Sequence, residues 1–267
     1  GDRKGSRSES PYALRRRSQN GKAVKSTAKL DVKRRCLVTG GCGYLGTRVV
    51  HALADPQDDR VGQISKPTVF EKVIVVDILK ECPEEFLRYG SAVKYYSIDL
   101  VAAAAGDIAA QESLNAALAG VDTVFHMAGI VRLDRQFNML YNLHVSATVN
   151  LLNSCRSAGV QRFIHTSSVA VVVGCGSEVL ENITETHPLP ALPASDYAKT
   201  KAMGEEKVLA ASSWDFHVIV LRPALIYGRD DPLLIRPLLR GGVPMAPPGG
   251  AQRFVLRTTL YISSRHS

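Results

Sequence analysis

The chain has 267 residues, 45% of them hydrophobic, which is enough to bury a sizeable core as one large or two unequal domains. The formal net charge is +8, but residues 1–35 carry +9 and the rest of the chain about −1, so a basic nucleic-acid-binding surface on the folded part is not indicated. No apolar run reaches 18 residues and the five cysteines form no C-x-x-C pair, which argues against a membrane-spanning helix, a metal site and a disulfide framework.

The first segment, residues 1–34, is rich in Ser, Arg and Lys and lacks hydrophobic periodicity. This composition predicts a disordered basic tail, because it cannot bury a core. A basic, Ser-rich, acid-poor segment is also typical of organelle targeting, so mitochondrial import is an alternative to a solvated extension.

Three glycines follow the first predicted strand. Residues 36–38 are a short apolar run, Gly40, Gly43 and Gly46 come next, and residues 47–54 are helix-like. A strand that turns sharply into a helix presents free backbone N–H groups, which together with the helix dipole favour a pyrophosphate. Glycine-rich turns between strand and helix are common, so this pattern alone does not establish a nucleotide site.

The second predicted strand, residues 72–77, ends in Asp77. An acid at this position can accept hydrogen bonds from the adenosine ribose hydroxyls and would repel a 2′-phosphate, which favours NAD over NADP. The plain alternative is a strand-end aspartate that caps the next turn.

Further strands and helices alternate along the chain. Strands are predicted at residues 93–98, 121–129 (with its exit loop), 162–166 and 218–223, and helices at 111–118, 142–158 and 195–211. Strands separated by helices predict an α/β protein with a doubly wound parallel sheet.

Tyr197 and Lys201 stand four residues apart in the last predicted helix and therefore share one face of it. A lysine ammonium beside a phenol lowers the pKa of the phenol, so that Tyr197 could exchange a proton with a substrate oxygen. Ser168 follows the fifth strand and could polarise the same oxygen. A partly buried tyrosine beside a surface lysine is the ordinary alternative.

The ordered set of motifs over residues 36–228 resembles the extended short-chain dehydrogenases/reductases, and within them the 3β-hydroxysteroid dehydrogenase/isomerase group. The segments that carry the resemblance are residues 39–46, Asp77, 99–100, 126–129, 147–152, 163–168, 197–201 and 221–228. The resemblance implies a Rossmann-type fold and NAD as the cofactor.

The resemblance also implies roles for individual residues. The expected cofactor-binding residues are Gly40, Gly43, Tyr44, Leu45 and Gly46 at the pyrophosphate, Asp77 at the adenosine ribose, Asp99 and Leu100 at the adenine, Ala128 and Gly129 along the dinucleotide, Lys201 and Tyr197 at the nicotinamide ribose, and Pro223 at the carboxamide. The expected catalytic residues are Ser168, which polarises the substrate oxygen, Tyr197 as acid/base, and Lys201, which tunes Tyr197. No metal is expected.

Two features depart from the family pattern. His144 stands where the family usually has an Asn that positions the active-site lysine through water; it could take over that role, or be a helix histidine bonded locally. The family also continues beyond the last motif found here. We therefore expect residues 35–228 to form the NAD-binding domain and residues 229–267 to form a small, incomplete substrate lobe.

These observations predict an NAD-dependent oxidoreductase acting on a secondary alcohol or ketone, with a 3β-hydroxysteroid or sterol as the preferred substrate, with or without isomerase or decarboxylating activity. One alternative is a nucleotide-sugar epimerase or dehydratase, which uses the same Ser/Tyr/Lys set. Another is a catalytically impaired dinucleotide-binding regulatory protein. The expected partner is a small molecule and not nucleic acid; a homodimer and peripheral membrane contact are compatible with the resemblance, as is a place in the cytoplasm or at the endoplasmic-reticulum surface.

Overall fold

The computed structural model describes residues 34–55, 70–131, 136–176, 180, 183–228 and, as backbone, 259–263. All of them belong to one compact unit, Lys33–Ser267. The predicted tail lies outside these residues apart from Arg34, and so does most of the predicted substrate segment.

Seven strands form one sheet in the order β3-β2-β1-β4-β5-β6-β7. The strands are β1 Arg35–Thr39, β2 Lys72–Asp77, β3 Val93–Ser97, β4 Thr123–His126, β5 Arg162–Thr166, β6 His217–Arg222 and β7 Thr259–Ser263. The first six are parallel, which confirms the predicted doubly wound α/β class. β7 was not predicted from the sequence; it pairs antiparallel with β6. The strand order reverses between β1 and β4, and ligands bind beyond the carboxyl ends of the strands at such a point.

Within the described ranges, seven α-helices lie between the parallel strands: α1 Tyr44–Ala54, α2 Glu84–Leu87, α3 Leu100–Ala104, α4 Ile108–Leu118, α5 Phe137–Tyr141, α6 Ala147–Ser157 and α7 Asp196–Ala210. Side chains at the N-cap positions fix where several of them begin. Ser195 accepts from the amide of Ala198 at the start of α7, and Asp107 accepts from the amide of Ala110 at the start of α4. Such caps satisfy amides that the helix itself leaves without a partner.

A π-helical turn, Asn142–Ser146, joins α5 to α6 where the sequence predicted one regular helix over residues 142–158. The carbonyl of His144 in this turn lies against α7, because a Cβ on Gly204 would approach that oxygen to 2.3 Å. Single π-helical turns inside helices are frequently found at functional sites. The π-helical turn therefore packs against α7, the helix that carries Tyr197 and Lys201.

The core lies on both faces of the sheet. Leu37, Val124 and Phe163 pack against α4, α6 and α7 on one face. Val38 and Val75 pack with Val50 of α1 on the other. Each fully buried aliphatic or aromatic side chain contributes about 1.5–3 kcal/mol. The continuous apolar strands are those expected of a parallel sheet covered on both faces. No helix among the described residues is long and apolar enough to cross a membrane.

Candidate active site

The glycine turn after β1 is packed too closely to hold side chains at two of its three glycines. Gly40 has a positive φ of +65°, and a Cβ there would lie 2.7 Å from the backbone of Ala128. A Cβ on Gly46 would lie 2.0 Å from the carbonyl oxygen of Gly40. The turn can therefore form only with glycine at these positions, because it brings β1, α1 and the exit of β4 into backbone contact.

Three backbone amides in the first turn of α1 lack a bond within the helix. Gly43 is its N-cap and provides no side-chain cap. The amides of Tyr44, Leu45 and Gly46 have no carbonyl to bond within the helix, whose first bond runs from Thr47 to Gly43. Free amides at a helix N-terminus suit an anion such as a pyrophosphate.

Asp77, at the end of β2, is held over this turn. Its Oδ2 accepts from the amide of Cys42 at 2.9 Å, and its Oδ1 accepts from the amide of Ile78 at 2.8 Å. The carboxylate therefore orients the glycine turn and also caps the turn that follows β2, as the plain alternative expected, whereas its ribose role stays a prediction. A carboxylate has about four acceptor positions, which leaves room for a further donor such as a ribose hydroxyl.

Asp99 and Leu100 follow β3 at the same edge of the sheet. The Oδ1 of Asp99 caps α3, accepting from the amides of Val101 at 2.8 Å and Ala102 at 3.1 Å. The side chain of Leu100 belongs to the hydrophobic core. Their predicted contact with an adenine would thus use the second carboxylate oxygen of Asp99 or the backbone.

Tyr197 lies in the first turn of α7, close to Ser168. The Oγ of Ser168 accepts from the amide of Ala170 at 3.1 Å and so begins the 3₁₀ turn Val169–Val172. Burial raises the pKa of Tyr197 above its usual value of 10, and a hydrogen bond with Ser168 acts in the opposite direction. The predicted pair of serine and tyrosine is therefore brought together.

Lys201 is buried one turn further along α7. Its Nζ donates to the carbonyl oxygen of Thr166 at 2.7 Å, and a Cβ on Gly129 would lie 3.8 Å from it. Burial lowers the pKa of Lys201 to about 8, and the charge of Glu205 opposes this shift. Lys201 thus reaches from α7 across the end of β5 to the exit of β4.

The expectation that Lys201 lowers the pKa of Tyr197 is wrong for this structure. The pKa of Tyr197 is raised, chiefly because burial disfavours the phenolate, and Ser168 provides the opposing contribution. Lys201 directs its ammonium to the Thr166 carbonyl. Sharing one face of a helix did not settle where the ammonium would point.

His144 is bonded locally, as one of the two sequence interpretations expected. Its Nε2 accepts from the amide of Ile130 at 3.3 Å, so the proton is on Nδ1, which donates to Oγ1 of Thr200 at 3.0 Å. Burial lowers the pKa of His144 to about 3, and the ammonium of Lys201 adds to the effect. The neutral imidazole therefore ties the exit of β4 to α7, and its ring meets the Tyr197 ring edge-on at 5.6 Å.

A second buried histidine lies beneath the glycine turn. Oγ1 of Thr39 accepts from the amides of Met127 at 3.2 Å and Ala128 at 3.3 Å, so its proton goes to Nδ1 of His126 at 2.7 Å. Nε2 of His126 then donates to Oγ1 of Thr148 at 2.9 Å. This series of hydrogen bonds fixes the exit of β4, where Ala128 and Gly129 were predicted to line a dinucleotide.

Two buried polar groups near α7 were not expected from the sequence. The carboxylate of Glu205 is paired with the guanidinium of Arg222 at 2.5 Å. The ring of His165 stacks on His126 with centroids 5.3 Å apart, and neither of its nitrogens has a partner among the described residues. An arginine at the end of the apolar strand β6 was the only sequence signal for the ion pair, since such a residue needs a partner when buried.

Similarity to known proteins agrees with this fold. The model of the 3-beta hydroxysteroid dehydrogenase/isomerase family matches residues 37–241. A sterol-4-alpha-carboxylate 3-dehydrogenase, decarboxylating, of Bos taurus is 30% identical over 78% of this chain and 51% of its own length. A 4-hydroxy-2-methyl-3-oxo-4-farnesyl-3,4-dihydroquinoline-1-oxide ketoreductase of Stigmatella aurantiaca is 30% identical over 77% of this chain and 54% of its own.

Solved structures with the same fold carry NAD. A dTDP-glucose 4,6-dehydratase of Streptomyces venezuelae, with NAD bound, has a TM-score of 0.61 at 27% identity over 79% of this chain and 63% of its own. A short-chain dehydrogenase/reductase superfamily protein of Agrobacterium tumefaciens, also with NAD, has a TM-score of 0.53 at 27% identity, over 71% of this chain and 48% of its own.

The chain spans about half the length of the curated relatives it matches. It belongs to the 3-beta hydroxysteroid dehydrogenase/isomerase family.

Proposed function

We propose that the protein is an NAD-dependent oxidoreductase that interconverts a secondary alcohol and a ketone, with a 3β-hydroxysteroid or sterol as its substrate. The observation that carries the proposal is the meeting of Ser168, Tyr197 and Lys201 at the sheet edge where the glycine turn and Asp77 also lie. Hydride transfer needs a cofactor cradle and a proton-transfer group at one site, and this edge offers both.

The described residues fit a dinucleotide. The free amides of the first turn of α1 would hold the pyrophosphate, and the carboxylate of Asp77 would accept from the adenosine ribose. Because that carboxylate would repel a 2′-phosphate, NAD is preferred to NADP. When bound, NAD supplies the hydride acceptor for oxidation of the alcohol.

The protein's own contribution is proton transfer and orientation. In the oxidative direction Tyr197 accepts the proton of the substrate hydroxyl, while Ser168 holds the same oxygen in place. Since burial raises the pKa of Tyr197, the phenolate needs positive charge nearby. Lys201, four residues further along α7 and with a pKa of about 8, is largely protonated at neutral pH. Its ammonium donates to the Thr166 carbonyl in this structure, so it would have to turn toward the phenol to supply that charge.

An apolar ring system is the preferred substrate class. The residues that follow Ser168, Val169–Val172, form a 3₁₀ turn without an acidic or basic side chain. Further acid/base groups there would favour a sugar dehydratase or epimerase. The similarity to sterol and ketoreductase enzymes supports the same choice, with a role in sterol or steroid biosynthesis, whereas the NAD-bound dTDP-glucose dehydratase keeps the nucleotide-sugar alternative open. A sterol substrate favours the endoplasmic-reticulum surface over the cytoplasm, and the relatives give no support to mitochondrial targeting.

Two measurements on the purified chain test this proposal. Calorimetric titration with NAD and NADP should show tighter binding of NAD. NADH formation should then be followed on 3β-hydroxysteroids, 4-carboxysterols and nucleotide sugars, with oxidation expected only for the first two classes. Activity on nucleotide sugars alone would favour the epimerase or dehydratase. NAD binding without turnover of any substrate would favour the regulatory protein, and equal or tighter NADP binding would refute the role of Asp77.

A further inference from the structure

We propose that Glu205 is a positioning residue for the reaction, because its buried carboxylate joins β5, α7 and β6 behind the site and supplies the negative charge that faces Lys201. The inference rests on the function proposed above. It assigns a role to a residue that touches neither the proposed substrate nor the cofactor.

The carboxylate is fully engaged. Its Oε2 accepts from Oγ of Ser167 at 2.6 Å and from Nε of Arg222 at 3.1 Å. Its Oε1 accepts from Nε of Arg222 at 3.1 Å and from Nη2 at 2.5 Å. Glu205 is 2% exposed and Arg222 7%. Bidentate pairing of this kind fixes orientation as well as charge.

Each partner of Glu205 stands next to a predicted site residue. Ser167 lies between Thr166, whose carbonyl oxygen accepts from Lys201, and Ser168. Arg222 directly precedes Pro223 at the end of β6. Glu205 itself follows Lys201 by one turn of α7. One carboxylate therefore holds the two strand ends and the helix that carry the proposed chemistry.

The charge of Glu205 also acts on Lys201. Lys201 is buried, and Glu205 is the group whose charge raises its pKa against the effect of burial. The other titratable groups that face Lys201 from neighbouring elements are His126 of β4, His144 of the π-helical turn and His165 of β5. Tyr197 lies one turn earlier on α7, and the charged Arg222 of β6 is paired with Glu205. Burial keeps the histidines and the phenol uncharged, so none of them supplies a negative charge to Lys201.

The ionisation of Lys201 can be measured without substrate. Lysines labelled with ¹³C at Cε are titrated by NMR, and the Lys201 signal is identified by its loss in Lys201→Met. In the unaltered protein Lys201 should titrate near pH 8. In Glu205→Gln, which keeps an acceptor for Ser167 but removes the charge, the midpoint should fall by about one pH unit.

Glu206→Gln is the matched control. Glu206 is the next residue of α7, but its side chain is 70% exposed and lies 3.7 Å from Lys207. Removing this charge should leave the Lys201 midpoint unchanged, because solvent screens it. Should Glu205→Gln not fold with Arg222 left unpaired, the double variant Glu205→Gln/Arg222→Met removes both buried charges. The midpoint should then fall in the same direction but by less, because the positive charge of Arg222 is lost as well.

The activity profile completes the test. The pH at which NADH formation declines on the alkaline side should move down with the Lys201 midpoint in Glu205→Gln and stay fixed in Glu206→Gln. An unmoved Lys201 midpoint in the Glu205 variants would overturn the inference, as would a moved midpoint with an unmoved activity profile. Absence of NADH formation in the unaltered protein, with a shifted midpoint in Glu205→Gln, would instead refute the proposed function and leave the ionic coupling in place.

Discussion

The two halves of the proposed site are built by different means. On the β1–β2 side the contacts are made by backbone: Gly40 and Gly46 touch other main-chain atoms, and Asp77 is the one acid held there by main-chain amides. On the β5–β6 side the contacts are made by buried polar side chains, of which Lys201, Glu205 and Arg222 are charged. The first half depends on shape, and the second depends on charge.

This difference predicts how each half fails. A close backbone contact is broken by any added side chain, and the loss should be seen in folding and binding together. A buried polar network loses function when a charged group or a proton is removed from it, even if the fold survives. The predictions below separate these two kinds of loss.

The largest effect is expected from Tyr197→Phe. The substitution removes the phenolic oxygen but keeps the ring against His144. Loss of the general acid/base should lower kcat by about 10²–10⁴-fold while NAD affinity stays the same. Steady-state kinetics and calorimetry on the same preparation measure both quantities. A variant that keeps the original kcat would remove Tyr197 from its proposed role.

On the backbone side, Gly46→Ala should destabilise the fold by about 2–3 kcal/mol, because its Cβ would lie 2.0 Å from the Gly40 carbonyl oxygen. Gly129→Ala is the control, since its Cβ would have its nearest neighbour at 3.7 Å, an ordinary contact. Urea unfolding compares the two. Equal stability of both variants would contradict the close packing of the turn.

Asp77→Asn should weaken NAD binding by about 1.5 kcal/mol, roughly tenfold in Kd, and narrow the preference over NADP. The amide oxygen can still accept from the Cys42 amide, so the turn should persist. Asp107→Asn neutralises a helix-capping aspartate of α4 and should leave both affinities unchanged. An undiminished NAD preference in Asp77→Asn would refute the ribose assignment.

The buried histidines predict a loss of stability in acid. Burial lowers the pKa values of His126 and His144 to about 3, from 6.5 in an unfolded chain. The unfolded state therefore binds more protons below pH 6.5, and each such histidine costs about 1.4 kcal/mol of stability per pH unit between 6.5 and 3. Unfolding free energies at pH 7.5 and 5 measure the slope.

His165→Phe tests how much one of the buried histidines contributes to this loss of stability in acid. The pKa of His165 is also lowered well below 6.5 by burial, and both its nitrogens lack partners in the described part of the chain. Replacement by an apolar ring should preserve stability at pH 7.5 and reduce the loss at pH 5. A slope equal to that of the unaltered protein would mean that His165 does not contribute to it.

The sequence predicted the six parallel strands because several, such as β2 and β6, are short apolar runs and all alternate with helix-like segments. It predicted the glycine turn because the spacing of the glycines is itself the signal. It did not predict β7, whose pairing with β6 joins residues about forty positions apart and leaves no local pattern. The π-helical turn was also missed, because a 3.6-residue periodicity does not register one extra residue in a turn.

Glu205 could not be recognised from the sequence for a different reason. Glu205 and Glu206 are identical neighbours in a polar stretch of α7, yet one is buried against Arg222 and the other faces solvent. Only the packing of α7 on β5 and β6 distinguishes them. The upward shift of the Tyr197 pKa was missed for the same reason. Burial causes the shift, and burial depends on tertiary contacts that the spacing of residues in the sequence does not show.

Transfer of deuterium is the most direct test of the central claim that this site moves a hydride from a carbinol carbon to NAD. A 3β-hydroxysteroid carrying deuterium at the carbinol carbon is incubated with the protein and NAD, and the reduced cofactor is examined by mass spectrometry. We expect deuterium in the nicotinamide ring with the unaltered protein and none with Tyr197→Phe, although both bind NAD. Equal transfer by both proteins, or NAD binding without transfer by the unaltered protein on any 3β-hydroxysteroid or sterol, would contradict it.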